Sequence, residues 1–292
     1  GRQSLVLSAD ESFLQDPATV YPVTIDPYWV KGQFLHTYID SAYPNESYVG
    51  NDWDPMGLHV GTFNGGGSVN RAMYRFDAPE LMGRTIQQAQ FHTATWYSWS
   101  CNYTPIHVYH VEDWGWGTTW SNQPGGSGPW AGQDAAACPA GPVIFDITQL
   151  IQVLVGQGRS TYGLELRAGN EGDNFGWKKV NPDPLVAVTY NSVPAVPDAL
   201  GAPLWSSPCH SVSDAGNPKY NNASGDLLMT AYQSDPDGDN VATAFEIYGP
   251  STYMGAWWAP WQASGTHTGA VIPAGSLPDS QYWYWAISTD GQ

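Results

Sequence analysis

Residues 89–96 read Ala89-Gln-Phe-His-Thr-Ala-Thr-Trp96. This alternation turns Ala89, Phe91, Thr93 and Thr95 to one side of an extended chain. The same period of two runs through residues 72–76, 106–111, 162–167 and 185–190. Each run is short and bounded by Gly, Pro, Asn or Asp, the punctuation of strands. A period of 3.6 shows clearly over residues 146–155. There Ile147, Leu150, Ile151, Leu154 and Val155 share a stripe, Asp146 or Thr148 is placed to cap it, and Gly156 and Gly158 stop it. Many short strands with at most one or two short helices predict an all-β, antiparallel sandwich.

The clearest break is Asn191-Ser-Val-Pro-Ala-Val-Pro-Asp-Ala-Leu-Gly-Ala-Pro203, whose prolines predict a semi-rigid linker over 191–203. Before it, 23–190 reads as one sandwich, preceded by an extended lead-in over 1–22 with its own strand, Ser4-Leu-Val-Leu7. After it, 204–292 carries strands at 226–232 and 241–248 around the turn Asp235-Pro-Asp-Gly-Asp-Asn240, and ends on Tyr282-Trp-Tyr-Trp-Ala-Ile-Ser288. That pattern predicts a smaller immunoglobulin-like or fibronectin-like sandwich.

Charged residues are only 13% of the chain, and the net charge is −17 with 10 Lys plus Arg. Such a field repels nucleic acid and anionic lipid, so neither is expected as a partner. No apolar run reaches membrane-spanning length, so no membrane insertion is expected. Residues 1–7 carry no signal-peptide pattern, and we expect the export signal of a longer precursor to lie upstream. Of three cysteines, Cys101 and Cys138 share the first half. A Cys101–Cys138 bridge with Cys209 single is expected in an oxidising compartment, three buried thiols being the alternative.

Several short segments then stand in a telling order. They are Val23-Thr-Ile-Asp-Pro27, Thr37-Tyr-Ile-Asp-Ser41, Leu58-His-Val-Gly61 and Asn70-Arg-Ala-Met-Tyr-Arg-Phe-Asp77. Ile86-Gln-Gln-Ala-Gln-Phe91, Trp116-Gly-Thr-Thr-Trp-Ser-Asn-Gln-Pro124, Phe145-Asp-Ile-Thr148 and Pro184-Leu-Val-Ala-Val-Thr-Tyr190 follow. Their order resembles the DNRLRE domain of secreted bacterial proteins, especially large actinobacterial ones with Rhs/YD-type repeats. That domain is related to a family of carbohydrate-binding modules. The second unit resembles the fibronectin-like module that often follows it, in which Asp-Pro-Asp-Gly is common. The resemblance implies a jelly-roll-like β-sandwich, an extracellular or cell-surface place and no enzymatic activity. In the resembling sandwiches a strand like 282–288 is the penultimate one, so a closing strand is expected to be missing. Either a proteolytic cut has removed that strand downstream, or residues 2–8 of another copy would supply it by strand donation and build a fibre.

Candidate chemistry is sparse. No nucleophile elbow, zinc-protease helix or phosphate loop occurs. His107 and His110, three apart on a strand, point to opposite faces. Trp116 and Trp120 are expected to pack in the core. Trp53, Trp130, Trp257, Trp258 and Trp261 lie in Gly- and Pro-rich loops, are expected to be exposed, and are the candidate ligand-stacking residues. Asp235, Asp237 and Asp239 alternate as in a calcium loop, though Glu246, at the position an EF-hand needs, falls in a strand. Those three are the candidate metal ligands, for a structural calcium, with a plain β-turn as the alternative. The acidic loop 170–174, Asp40 and Asp77 are weaker candidates. Sequons at Asn45, Asn102 and Asn222 are expected to be chance occurrences. The reading is an extracellular structural or adhesive module of a larger protein, its partners polysaccharide or copies of itself. A carbohydrate-binding module is the alternative, and a secreted polysaccharide hydrolase or lyase the third.

Overall fold

The computed structural model describes residues 28–50, 57–135, 140–201, 226–249, 251–277 and 283–291. They divide into two units, 28–193 and 194–291. Both are built of antiparallel strands, as the alternating pattern demands.

The larger unit holds β1 (Tyr28–Gly32), β2 (Leu35–Asp40), β3 (Leu58–Thr62), β4 (Val69–Asp77), β5 (Thr85–Ser98) and β6 (Thr104–Val111). It continues with β7 (Gly126–Ala135), β8 (Gly141–Asp146), α1 (Thr148–Gly156), β9 (Thr161–Ala168), β10 (Lys178–Val180) and β11 (Leu185–Asn191). One layer runs β2-β4-β9-β6-β7. The other is organised on the long β5, which pairs with β8 along one edge and with β11 and then β10 along the other, β1 lying outside β11. β3 joins the layers, pairing with both β10 and β4.

The layers meet through rings. Phe91 of β5 lies with its centroid 5.5 Å from Tyr74 and 6.1 Å from Phe76, both on β4. Ala89, Phe91, Thr93 and Thr95 are all buried, as their alternation predicts. Helix α1 brings Leu150, Ile151, Leu154 and Val155 to the same core. It starts at Thr148, later than the pattern alone indicates, because the Asp146 carboxylate accepts the Thr148 N–H at 2.9 Å from outside the helix. Those hydrogen bonds from Thr148 hold the Asp146 carboxyl below the usual range.

The smaller unit packs two three-stranded sheets. One is β12 (Asp198–Gly201), β13 (Leu227–Gln233) and β16 (Thr266–Ile272). The other is β15 (Tyr253–Trp258), β14 (Ala242–Tyr248) and β17 (Trp283–Thr289). Met229, Ala231, Phe245, Ile247, Ala270 and Ile272 fill the space between them. Buried Thr243 of β14 donates to Gln233 Oε1 of β13 at 2.7 Å, while Gln233 Nε2 donates to the Val241 carbonyl at 3.0 Å. This bond ties the sheets together. Parts of the stretch expected as a linker belong to strands: Asn191 closes β11, and Asp198 and Gly201 pair with β13. Between them residues 192–197 belong to no strand, although the Ala195 N–H donates to the Ser234 carbonyl at 2.9 Å. The expected donor strand over 2–8 lies outside the described residues.

Candidate functional site

The outer side of the β2-β4-β9-β6-β7 layer carries a network of charged side chains, Arg71, Glu165, Arg167 and Glu171. Strand alternation puts it there. On β4, Ala72, Tyr74 and Phe76 go to the core, so Arg71 and Met73 face out. On β9, Leu164 and Leu166 go in, so Glu165 and Arg167 face out; on β6, Val108 goes in and His107 and Tyr109 out. Register lines Met73, Glu165 and Tyr109 across three strands, with His107 opposite Arg167.

Part of this face is covered. Trp114 packs with Leu35, Ile39, Met73 and Val111 in a second apolar cluster. Trp120 follows, half-buried, with the Arg71 guanidinium 4.7 Å from its ring. Each nitrogen of Arg71 is engaged: Nε and Nη2 grip both oxygens of Glu171 at 2.8 and 2.9 Å, and Nη1 donates to Gln123 at 2.8 Å. A bidentate pair of this kind fixes the plane of the guanidinium.

Glu165 is fully buried beneath the two arginines. Its Oε1 accepts from Arg167 Nε and lies 3.6 Å from Arg71 Nε, whereas Oε2 is buried with no hydrogen-bond partner. Burial pushes its carboxyl pKa up, and the attraction of Arg167 and then Arg71 offsets only part of this. Arg167 is the open end of the network. Its guanidinium stacks 4.1 Å from the Tyr109 ring, its side chain is 24% exposed, and its two terminal nitrogens have no partner among the described residues. Beside it His107 has room because position 132 is glycine; a Cβ there would lie 2.6 Å from the imidazole. The result is a pre-set fork of N–H donors on an aromatic plate. Such a surface can clasp vicinal hydroxyls or a carboxylate while a ring stacks on C–H groups.

No protein-family model matches the chain. The chain is similar to the tRNA nuclease WapA of Bacillus subtilis (strain 168), 25% identical over 221 residues, covering 64% of this chain and 8% of that protein. It is also similar to the tRNA3(Ser)-specific nuclease WapA of Bacillus spizizenii, 26% identical over 212 residues, with the same two shares, 64% and 8%. The chain thus spans less than a tenth of the length of these curated relatives. Among solved structures, a β-glucuronidase of Bacteroides uniformis matches over 90% of this chain and 28% of its own, at 8% identity and a TM-score of 0.26. A β-glucuronidase of Bifidobacterium dentium matches over 92% and 46%, at 12% identity and a TM-score of 0.25. Likeness at that level carries no argument about fold or activity.

The residues singled out in the sequence are scattered. Trp53 lies outside the described residues. Three of them stand on strands rather than in loops, Trp130 on β7 and Trp257 and Trp258 on β15. Trp130 is half-buried against the main core, its Nε1 donating to Ser127 at 3.2 Å, and Trp257 turns into the core of the smaller unit. Trp258 and Trp261 are exposed, at 58% and 54%. Trp116, expected in the core, is 70% exposed; its ring lies over Gly50 instead, where any Cβ would come within 2.5 Å. Trp120 is half-buried as a flank of the arginine network. Asp235, Asp237 and Asp239 do not converge: among the described residues no three His, Cys, Asp or Glu side chains stand together as metal ligands. Asp40 accepts from Ala42 N–H and Ser68 Oγ, both at 2.8 Å, as a turn-forming side chain does. Cys101 is disulfide-bonded, while Cys138 and Cys209 lie outside the described residues. Arg71, Tyr109, Glu165 and Arg167 were not singled out. The available signal was one strand, Tyr162-Gly-Leu-Glu-Leu-Arg167, that spends two of the chain's few charges at alternate positions.

Proposed function

We propose that this chain is a non-catalytic, extracellular adhesive module of a much larger protein, and that it holds polysaccharide on the outer face of its larger sandwich. The observation that carries the reading is Arg167, stacked on Tyr109, oriented by buried Glu165 and left with two unused donor nitrogens. A surface salt bridge needs no such foundation, whereas a binding fork gains from being fixed in advance. The fit to 8% of the relatives' length supports one module among many, and the nuclease activity in their names is not carried over. The DNRLRE-like order of motifs supports the same reading. Affinity electrophoresis through gels containing different soluble polysaccharides tests it. At least one polysaccharide is expected to retard the protein, and Arg167→Ala and Tyr109→Ala to remove the retardation with circular dichroism unchanged. Retardation by none, or retardation untouched in both variants, would overturn it.

A further inference from the structure

In the smaller unit, the sheet of β15, β14 and β17 turns one side to solvent, and that side is rich in large apolar rings. On β14, Phe245 and Ile247 go into the core, so Ala244, Glu246 and Tyr248 face out. On β15 and β17, Trp257, Tyr284 and Ala286 pack on the core, so Ala256, Trp258, Trp285 and Ile287 face out. Register sets Trp258, Ala244 and Ile287 in one row across the strands, and Ala256, Glu246 and Trp285 in the next. Trp258 and Trp285 are 58% and 63% exposed, while Ala244, between Trp258 and Ile287, is buried. Small residues therefore floor a shallow trough with an indole ring at each of two diagonal corners. Exposed apolar surface gathered in this way marks a binding face.

Glu246 stands in the floor of the trough. It is the only charged residue in the three strands. Its Oε2 accepts the Tyr248 hydroxyl at 2.9 Å, and its Oε1 has no hydrogen-bond partner among the described residues. No lysine or arginine occurs anywhere in residues 226–292, so the field over the trough is negative. An anionic ligand is repelled there. A cation is attracted, and the indole faces add to that attraction.

Size narrows the choice further. The trough is about 14 Å long, four residues of strand, and its outer strands lie about 10 Å apart. With overhanging side chains that footprint is on the order of 300 Å², well under the roughly 800 Å² per partner of a stable protein interface. A second copy using the same face would also set Glu246 against its own like. The occupant is therefore narrow, cationic and extended enough to reach both indoles. Sugar rings offer flat C–H faces to indoles, and an amino sugar carries the positive charge as well.

We infer that this face binds a glycan chain carrying protonated amino groups, its sugar rings stacked on Trp258 and Trp285 and an amine set against Glu246. The site is separate from the arginine face of the larger unit.

The test is calorimetric titration of the intact chain with a glucosamine hexamer at physiological salt. It is run in an Arg167→Ala background, so that the larger unit's face does not contribute. Saturable binding is expected. Glu246→Gln, Trp258→Ala and Trp285→Ala should each weaken it by about fivefold or more, as loss of a cation–ring or charge contact does, with circular dichroism unchanged. The N-acetylated hexamer keeps the rings without the charge; it is expected to bind more weakly and to be indifferent to Glu246→Gln. Hexalysine keeps the charge without the rings and is expected to bind more weakly than the amino sugar. Absence of saturable binding would overturn the inference. Binding that neither tryptophan substitution changes would be attraction to the net charge alone, and would overturn it too. Hexalysine binding as tightly as the sugar would point to a basic protein partner instead. Self-association of the native chain that Trp285→Ala abolishes would give the face to a second copy, and either result would sink the glycan.

Discussion

Glu165 and Arg167 sit two positions apart on β9 and therefore share a face, but the environment treats them differently. Glu165 is sealed and Arg167 is a quarter open. Because burial raises the folded carboxyl pKa of Glu165 above its unfolded value, the native state holds that proton more tightly than the unfolded chain does. Its contribution to stability is therefore greatest in mild acid and declines as pH rises through the folded pKa. Denaturant midpoints of the native chain and of Glu165→Gln should show this: the native chain loses ground to the variant on going from mildly acidic to neutral pH. A difference independent of pH would mean that the arginines fully compensate the charge. The same variant should bind polysaccharide more weakly at neutral pH, since Arg167 loses the acceptor that aims it.

At the scale of elements, the sandwich depends on Phe91. Its ring meets those of Tyr74 and Phe76 on β4 across the core and that of Phe145, its neighbour on β8 in the same layer, all within 6.1 Å. Phe91→Ala should destabilise the larger unit by about 3–5 kcal/mol, read as a drop in its denaturation midpoint. A loss under about 1 kcal/mol would show that the layers collapse onto the cavity. Phe91 was legible in the sequence because period-two alternation reports which side of a strand is buried, and so was the helix stripe. The arginine face was not. It exists only through the register of β4, β9 and β6, and alternation fixes the face of a strand but not its neighbours. Trp116 misled for a related reason: large apolar rings favour burial, yet a glycine-rich loop offered this one only a glycine to cover. Residues 198–201 misled because the flanking prolines masked a short strand.

The whole molecule carries −17 with few cations, and the arginine face concentrates two of its 10 basic residues on neighbouring strands. That net charge opposes nucleic acid, so the chain is expected neither to shift nor to cleave tRNA, despite its similarity to part of a tRNA nuclease; a mobility-shift and cleavage assay at low salt checks this. Cleavage would show that it carries catalytic residues of its own. The central claim is that polysaccharide is held at Arg167 and Tyr109. It is tested most directly by nuclear magnetic resonance, following the arginine side-chain Nε–Hε signals while an oligosaccharide from a retarding polysaccharide is added. The Arg167 signal and the Tyr109 ring signals are expected to shift together and saturably, while those of Arg84 and Arg159 stay in place. Binding that leaves Arg167 and Tyr109 unmoved would contradict it.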